Sequence, residues 1–236
     1  MIHILFFIES LSGGGAEKVL RDLVNAMDQT KFSVTVQTLY PEDAEKYLAP
    51  GIRYKYCYPA RSRSNDPRMR AEAALGLTYP LHIKGGYDVE AAYLECGSTK
   101  IMAGSTNQKA LKLAWVHTDL RNWANPDAFA AATKKYYVRY DFAVCVSESV
   151  RKSFEKLYGD TVQTATIYNT IDDSEILRKS TEALPLDVAK RKLTIATVGR
   201  LSAPKCFIRA LAVHKRLLED GFEHDLWIIG EGEERQ

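Results

Sequence analysis

The sequence predicts an α/β fold in which a parallel sheet is flanked by helices. Its apolar residues fall into short continuous runs, as expected of strands that are buried on both faces. Amphipathic helical segments separate these runs, and this alternation is the pattern of βαβ units. In chain order, the predicted strands of the first sheet are Ile4–Ile8, Ser33–Leu39, Ile52–Tyr58, Val89–Leu94, Leu113–His117 and Phe142–Ser147.

The first predicted strand leads directly into a glycine-rich turn. Gly13, Gly14 and Gly15 follow it, and apolar residues at helical spacing begin at Ala16. Glycines allow positive φ and let a ligand come close to the backbone. The unpaired N–H groups in the first turn of the following helix favour an anion such as phosphate.

Two well-known phosphate motifs are excluded at this turn. The dinucleotide fingerprint requires a third glycine where Lys18 stands. The P-loop requires Gly-Lys-Ser/Thr, whereas Gly15 is followed by Ala16 and Glu17. A tight turn without a ligand is therefore as compatible with this stretch as an anion site.

The composition is that of an ordinary soluble globular protein. The 236 residues suffice for one large domain or two smaller ones, and 46% are hydrophobic and 26% charged. A net charge of +2 does not indicate nucleic acid or another general polyanion as a partner. The four cysteines form no CxxC pair, which favours reduced thiols. No signal peptide or membrane span is evident, so we predict a cytoplasmic protein.

Residues 53–70 form an unusually basic segment with a single acid. The basic residues are Arg53, Lys55, Arg61, Arg63, Arg68 and Arg70. The Ser, Asn and Pro content predicts a mobile loop, with a helix resuming near Met69–Leu77. A solvated loop is one interpretation. The other is that Arg61, Arg63, Arg68 and Arg70 contact an anionic membrane surface or an acidic acceptor, which would place the protein at the inner face of the cytoplasmic membrane.

A second α/β unit is predicted after a polar linker. The expected domains are residues 1–170, a linker at 171–189 and the start of a second domain at 190–236. In the second domain, the strand Leu193–Val198 precedes a helix near Pro204–Asp220, and Leu226–Ile229 is the next strand. Because one β-α-β unit is too small for an independent domain, we expect this second unit to be incomplete.

Polar candidate residues follow the carboxyl ends of several predicted strands, where open α/β sheets bind ligands. His117 ends an apolar strand, with Asp119 two residues further on, and a structural and a functional role are equally compatible with that position. Arg200 and Lys205 flank the first turn of the second unit, where they are either exposed cations or phosphate ligands. Ser147 and Glu148 follow the last strand of the first sheet.

Five segments, taken in order, resemble the retaining GT-B-type glycosyltransferases of the family-four group, many of which build bacterial capsule, exopolysaccharide or lipopolysaccharide. The segments are ESLSGGGAEKVL, LAWVHTDL, FAVCVSESVRKSF, IYNTID and VGRLSAPKCFIRAL. The resemblance implies two Rossmann-like domains facing each other across a cleft. The N-terminal domain would hold the acceptor, and the C-terminal domain would hold a nucleotide-sugar donor.

The resemblance also implies roles for individual residues. The Gly13–Gly15 loop would lie near the donor diphosphate, Arg200 and Lys205 would hold that diphosphate, and His117 would contact the transferred sugar. Asn169 and Asp172 would lie in the interdomain segment. Cys206 stands where the family usually has glycine, so we expect the following helix to begin differently there.

The implied activity is transfer of a sugar from a nucleotide-sugar to a glycan or lipid-linked acceptor. Loop amides, Arg200 and Lys205 would stabilise the charge on the leaving diphosphate, and neither a metal nor another cofactor is expected. The acidic E-x7-E motif of the family would lie beyond Gln236, so we expect this chain alone to be inactive. The alternatives are a GT-B-fold sugar-nucleotide epimerase and a non-catalytic acceptor-binding fragment.

Overall fold

The structure, a computed structural model, describes residues 1–183 and 193–235. The chain divides into two compact units, Met1–Glu175 and Ile176–Gln236. Of the predicted linker at 171–189, residues 184–189 lie outside the described residues.

A seven-stranded sheet forms the centre of the first unit, and every pair of neighbouring strands is parallel. The strand order is β3-β2-β1-β4-β5-β6-β7. The strands are β1 (Ile2–Phe7), β2 (Phe32–Thr38), β3 (Arg53–Tyr56), β4 (Val89–Ala92), β5 (Leu111–Val116), β6 (Phe142–Cys145) and β7 (Gln163–Thr166). The predicted fold class is confirmed. The sequence reading missed β7, because this edge strand has the polar sequence QTAT.

Helices connect these strands. They are α1 (Gly15–Ala26), α2 (Asn65–Ala74), α3 (Thr78–His82), α4 (Gly97–Met102), α5 (Pro126–Tyr137) and α6 (Glu148–Tyr158), and α7 (Asp173–Ser180) follows the last strand. Successive side chains of a strand point to opposite sides of the sheet, and an apolar cluster covers each side. Leu5 and Phe7 of β1 belong to one apolar cluster. Phe6 belongs to the other cluster, together with Leu20 and Val24 of α1.

The basic segment is more ordered than the predicted mobile loop. Helix α2 begins at Asn65, four residues earlier than the sequence suggested, so Arg68 and Arg70 lie on a helix. Asp66 in the first turn suits the positive end of the helix dipole. The Arg68 Nε pairs with a Glu72 carboxylate oxygen at 2.6 Å. The guanidinium carbon of Arg61 lies 5.3 Å from the centre of the Tyr40 ring.

The second unit contains two parallel strands, β8 (Thr194–Val198) and β9 (Asp225–Ile229), and helix α8 (Phe207–Glu219). The predicted helix start near Pro204 was wrong. A short 3-10 turn spans Ala203–Lys205, and Cys206 then adopts a left-handed conformation with φ of 56° before α8 begins. A left-handed residue cannot continue a right-handed helix, and glycine is the residue that adopts this conformation most easily.

We expect Cys206→Gly to stabilise the start of α8. A left-handed conformation costs a residue with a Cβ about 1–2 kcal/mol. The greater freedom of glycine in the unfolded chain offsets part of that gain, which leaves a net increase of about 0.5–1 kcal/mol. Amide hydrogen exchange of α8 measures the change. Ala210→Gly, inside the same helix, is the control and should reduce the protection of the α8 amides from exchange. An equal reduction in Cys206→Gly would show that Cys206 is not strained.

Candidate functional site

The candidate site of the first unit lies where the chain reverses its direction of travel across the sheet. From β1 the chain proceeds to β2 and β3 on one side, and it returns to β4 on the other side of β1. The carboxyl ends of β1 and β4 are in register, and the Tyr93 N–H donates to the Phe7 carbonyl at 2.8 Å. The helices that follow these two strands, α1 and α4, pack on opposite faces of the sheet, and such a switch point is the usual place for a ligand crevice in an open α/β sheet.

The glycine turn after β1 presents open backbone at this edge. Gly13 has a positive φ of 82°, whereas Gly14 is extended with φ of −108°. Gly14 is the N-cap of α1 and makes no side-chain capping hydrogen bond. A Cβ on Gly13 or Gly15 would meet no atom within 4 Å. The backbone is therefore open at Gly13 and Gly15, whereas the Glu17 carboxylate lies against Gly14, so an anion at the first-turn amides of α1 would have to displace that side chain.

We expect Gly13→Ala and Gly15→Ala to have opposite effects on stability. Both substitutions add the same methyl group to open space, but only Gly13 has positive φ. Gly13→Ala should lower the free energy of unfolding by about 1–2 kcal/mol. Gly15→Ala, in the first turn of α1, should leave it unchanged or raise it by up to about 1 kcal/mol. Urea denaturation measures both, and equal values would show that the conformation at Gly13 is not strained.

His117 reaches the crevice on the side of the sheet that α1 covers. Trp115 of β5 belongs to the apolar cluster that contains the α1 residues, and a residue two positions further along points to the same side. The Tyr93 ring lies between the two side chains, with its centre 5.1 Å from that of Trp115 and 4.9 Å from that of His117. Glu17, in the first turn of α1, interacts electrostatically with His117. The fold thus brings the glycine turn and His117 to the same site.

The His117 imidazole has one engaged and one free nitrogen. The Tyr93 backbone carbonyl accepts a hydrogen bond from the ring, whereas Nε2 is buried without a partner among the described residues. We therefore assign the donated proton to Nδ1. Burial lowers the pKa of His117 below its usual value, against the opposing effects of Glu95, the Tyr93 carbonyl and Glu17. At neutral pH the Nε2 lone pair can thus accept a hydrogen bond from a ligand hydroxyl.

Glu95 holds the turn that carries His117. Glu95 is buried, with 7% of its surface exposed. Its Oε1 accepts hydrogen bonds from the His117 N–H at 2.7 Å, the Thr118 N–H at 2.8 Å and the Thr118 Oγ1 at 3.1 Å. Glu95 was not among the residues that the sequence indicated. The sequence offered one indication of its role: Glu95 is an acidic residue directly after the predicted strand Val89–Leu94.

Glu9 connects the loops after β1 and β4, and it was also missed. Its carboxylate accepts hydrogen bonds from the N–H groups of Gly97 and Ser98 at the start of α4. Burial raises the pKa of Glu9 although these two hydrogen bonds act in the opposite direction. A Cβ on Gly97 would lie 2.3 Å from the Glu9 Oε1, so glycine permits this contact. The preceding Cys96 has a positive φ of 67°, which marks a sharp strand-to-helix turn.

Asp119 lies at the carboxyl end of β5 as predicted, but its oxygens are engaged within the protein. Its Oδ2 pairs with an Arg121 guanidinium nitrogen at 2.6 Å, and its Oδ1 accepts from the Arg121 N–H and from the Ser153 hydroxyl of α6. The hydrogen bond from Arg121, opposed by burial and assisted by Ser153, holds the pKa of Asp119 well below its usual range. Asp119 thus anchors the turn after His117 to α6.

Ser147 and Glu148 lie at the carboxyl end of β6, where they begin α6. The Ser147 Oγ caps the helix by accepting from the Val150 N–H at 3.2 Å. Glu148 forms an ion pair with Arg151 at 2.7 Å. The hydrogen bonds from Arg151 lower the pKa of Glu148.

Asn169 and Asp172 follow β7, and both are exposed. The Asp172 Oδ1 accepts from the Ser174 Oγ at 2.6 Å and from the Glu175 N–H at 3.3 Å, so it caps α7 as the sequence predicted. These hydrogen bonds lower the pKa of Asp172, and Lys18 of α1 contributes a smaller effect. A groove of about 330 Å³ separates α1 from this segment, and its lining includes Asp22, Asn25 and Asp172.

Arg200 and Lys205 belong to the second unit. Arg200 follows β8, and Lys205 ends the 3-10 turn that precedes α8. Both side chains are exposed, and neither has a hydrogen-bonding or ionic partner within the described ranges 1–183 and 193–235. Both are therefore available to an anion.

The described residues contain neither a candidate metal cluster nor a helix that could span a membrane. No group of three or more His, Cys, Asp or Glu side chains in this part of the chain could hold a metal ion. None of the helices described here is long and apolar enough to cross a membrane.

A seven-stranded parallel sheet with a glycine turn and a histidine at its switch point defines a Rossmann-like ligand-binding unit. The chain belongs to Glycosyltransferase Family 4, whose profile matches residues 13–175. No curated protein matches the sequence.

Solved glycosyltransferase structures are similar in fold. The Anabaena protein HepE in complex with UDP-glucose is 16% identical with a TM-score of 0.59, and the match covers 98% of this chain and 69% of HepE. Sucrose-phosphate synthase from Thermosynechococcus elongatus is 12% identical with a TM-score of 0.59, and the match covers 98% and 71% of the two chains. The lipopolysaccharide outer core galactosyltransferase WaaB is 14% identical with a TM-score of 0.53, and the match covers 98% of this chain and 61% of WaaB. These similarities show the fold, which is that of GT-B glycosyltransferases.

Proposed function

We propose that the protein is a retaining glycosyltransferase that moves a sugar from a nucleotide-sugar to a glycan or lipid-linked acceptor in cell-surface polysaccharide synthesis. The observation that carries the proposal is the buried, unpartnered Nε2 of His117 at the switch point, on the side of the sheet that α1 covers. A hydrogen-bond acceptor next to an anion-binding helix end suits a sugar joined to a phosphate. Membership of Glycosyltransferase Family 4 supports the reaction class.

Each site residue has a role in this proposal. The amides at Gly13–Gly15, Arg200 and Lys205 stabilise the negative charge that grows on the leaving diphosphate. The Nε2 of His117 accepts a hydrogen bond from a hydroxyl of the transferred sugar. Because amides and cations supply the charge stabilisation, turnover should persist in the presence of a metal chelator.

The decisive experiment measures nucleotide release by the full-length protein from a panel of nucleotide-sugars with glycan and lipid-linked acceptors. UDP-glucose is the first donor to test, since HepE was solved in complex with it. Acceptor-dependent release of nucleotide supports a transferase, and the anomeric configuration of the product tests retention. Conversion of the donor without an acceptor would instead favour an epimerase. Donor or acceptor binding without turnover would favour a non-catalytic binding protein.

We also propose weak association of the basic segment with an anionic membrane. Arg63 and Arg70 should contribute most, because Arg61 contacts Tyr40 and Arg68 pairs with Glu72. Each cation near such a surface contributes about 1 kcal/mol. Sedimentation with phosphatidylglycerol vesicles should show binding at low salt that R63A/R70A weakens. The control is K152A/K156A on α6; binding lost equally in both variants, or no binding at low salt, would contradict the proposal.

A further inference from the structure

A cavity on the first unit, away from the crevice, contains three cations and no acid. It lies where the ends of α2, α4 and α5 meet, has a volume of about 370 Å³, and includes Lys100, Lys135 and Arg139 in its lining. Helices that return from the carboxyl edge of a parallel sheet end near its amino edge. The cavity is therefore at the opposite edge of the sheet from Gly13 and His117.

The three cations lack ionic partners. No carboxylate in the described part of the chain lies within salt-bridge distance of Lys100, Lys135 or Arg139, and none lines the cavity. Lys135 makes a cation–π contact, with its Nζ 5.2 Å from the centre of the Tyr136 ring. Lys135 lies in the last turn of α5 and Arg139 lies two residues beyond the end of that helix, and like charges that line one cavity repel each other.

The shape of the cavity leaves room for a ligand between the cations. Small residues form much of its wall, including Ala73, Ala74 and Ala103. Gly76 and Gly104 bring the ends of α2 and α4 together: a Cβ on Gly104 would lie 3.2 Å from the Gly76 carbonyl oxygen. A larger residue at Gly104 would disturb this packing. The volume falls in the range of small-molecule sites.

We propose that this cavity binds a phosphate-bearing anion, either a free phosphate compound or the phosphate of a lipid headgroup. An arginine can bind two phosphate oxygens at once, and two lysines add point charges on the other sides. A bound anion would also relieve the repulsion between Lys135 and Arg139. The cations alone could instead serve only to complement the negative ends of α4 and α5, and this role requires no ligand.

The test uses pyrophosphate as the probe and amide NMR shifts as the readout. Pyrophosphate should shift the Gly76 and Gly104 amides, whereas binding at the glycine turn would shift Gly13 and Gly15. Losing charge-assisted hydrogen bonds from two cations should lower the affinity of K135E/R139E at least about tenfold. The control K134E reverses a single charge next to Lys135 on α5 but outside the cavity, and it should have little effect. The neutral variant Ala74→Trp should also block binding by filling the space.

Vesicle flotation distinguishes the two sources of phosphate. If pyrophosphate does not bind but phosphatidylglycerol vesicles do, and K135E/R139E loses that binding whereas K134E retains it, the occupant is a lipid headgroup. If pyrophosphate binds and vesicles do not, it is a free phosphate compound. The proposal is overturned if neither binds, or if K134E and K135E/R139E lose binding equally.

Discussion

His117→Ala should lower the turnover number of the transferase about a hundredfold while leaving affinity for the nucleoside diphosphate nearly unchanged. The reason is that the free Nε2 of His117 is proposed to contact the sugar, whereas the α1 amides, Arg200 and Lys205 are proposed to hold the diphosphate. Steady-state kinetics with saturating donor, together with calorimetric titration of the diphosphate, measure the two quantities separately. His117→Gln should restore part of the rate, because its side-chain oxygen can accept a similar hydrogen bond.

The pH dependence of this site provides an independent check. Because burial lowers the folded-state pKa of His117 below 6.5, the ring is neutral at pH 7 and turnover should fall only as the solution becomes more acidic. The same shift has a consequence for stability. The unfolded chain takes up the proton first, so the contribution of His117 to stability is fully present above pH 6.5 and is lost as the pH falls below it. Matching losses of stability and turnover in His117→Ala at pH 7 would instead indicate a structural histidine.

The sequence was most informative where structure depends on local pattern. The apolar runs identified the inner strands β1, β2, β4, β5 and β6 because these strands are buried on both faces, and the edge strand β3 was found although it is only partly buried. His117 could be found because it ends such a run. The edge strand β7 could not be found this way, since its residues are polar and only partly buried.

Contacts between distant parts of the chain could not be read from local pattern. Glu95 and its partner His117 are 22 residues apart, and Glu9 meets Gly97 only because β1 and β4 are neighbours in the sheet. Asp119 has the sequence context of a site residue, yet Arg121 and Ser153 occupy its oxygens. The sequence showed that Cys206 stands where related proteins usually have glycine, but it did not show that Cys206 adopts a left-handed conformation.

The second large effect is expected at Glu95, which positions His117 through the backbone. Glu95→Ala removes the acceptor of three hydrogen bonds and leaves two backbone N–H groups without a partner. We expect the free energy of unfolding to fall by about 2–4 kcal/mol, because each buried orphan donor costs about 1–3 kcal/mol. The turnover number should fall at least about tenfold, since the ring of His117 would lose its fixed position. Glu42→Ala is the control: the Glu42 Oε2 accepts only the Leu11 N–H, at 2.6 Å, so the loss should be about 1 kcal/mol.

Glu95→Gln separates positioning from a purely structural role. Its side-chain oxygen can still accept from the His117 and Thr118 amides, so most of the stability should return. The negative charge of Glu95 raises the pKa of His117, so its removal should lower that pKa further. The acid limb of the pH–turnover profile should therefore move to lower pH in Glu95→Gln, with the rate at pH 7.5 largely retained. If Glu95 only stabilised the fold, stability would change while the acid limb stayed where it is in the unaltered protein.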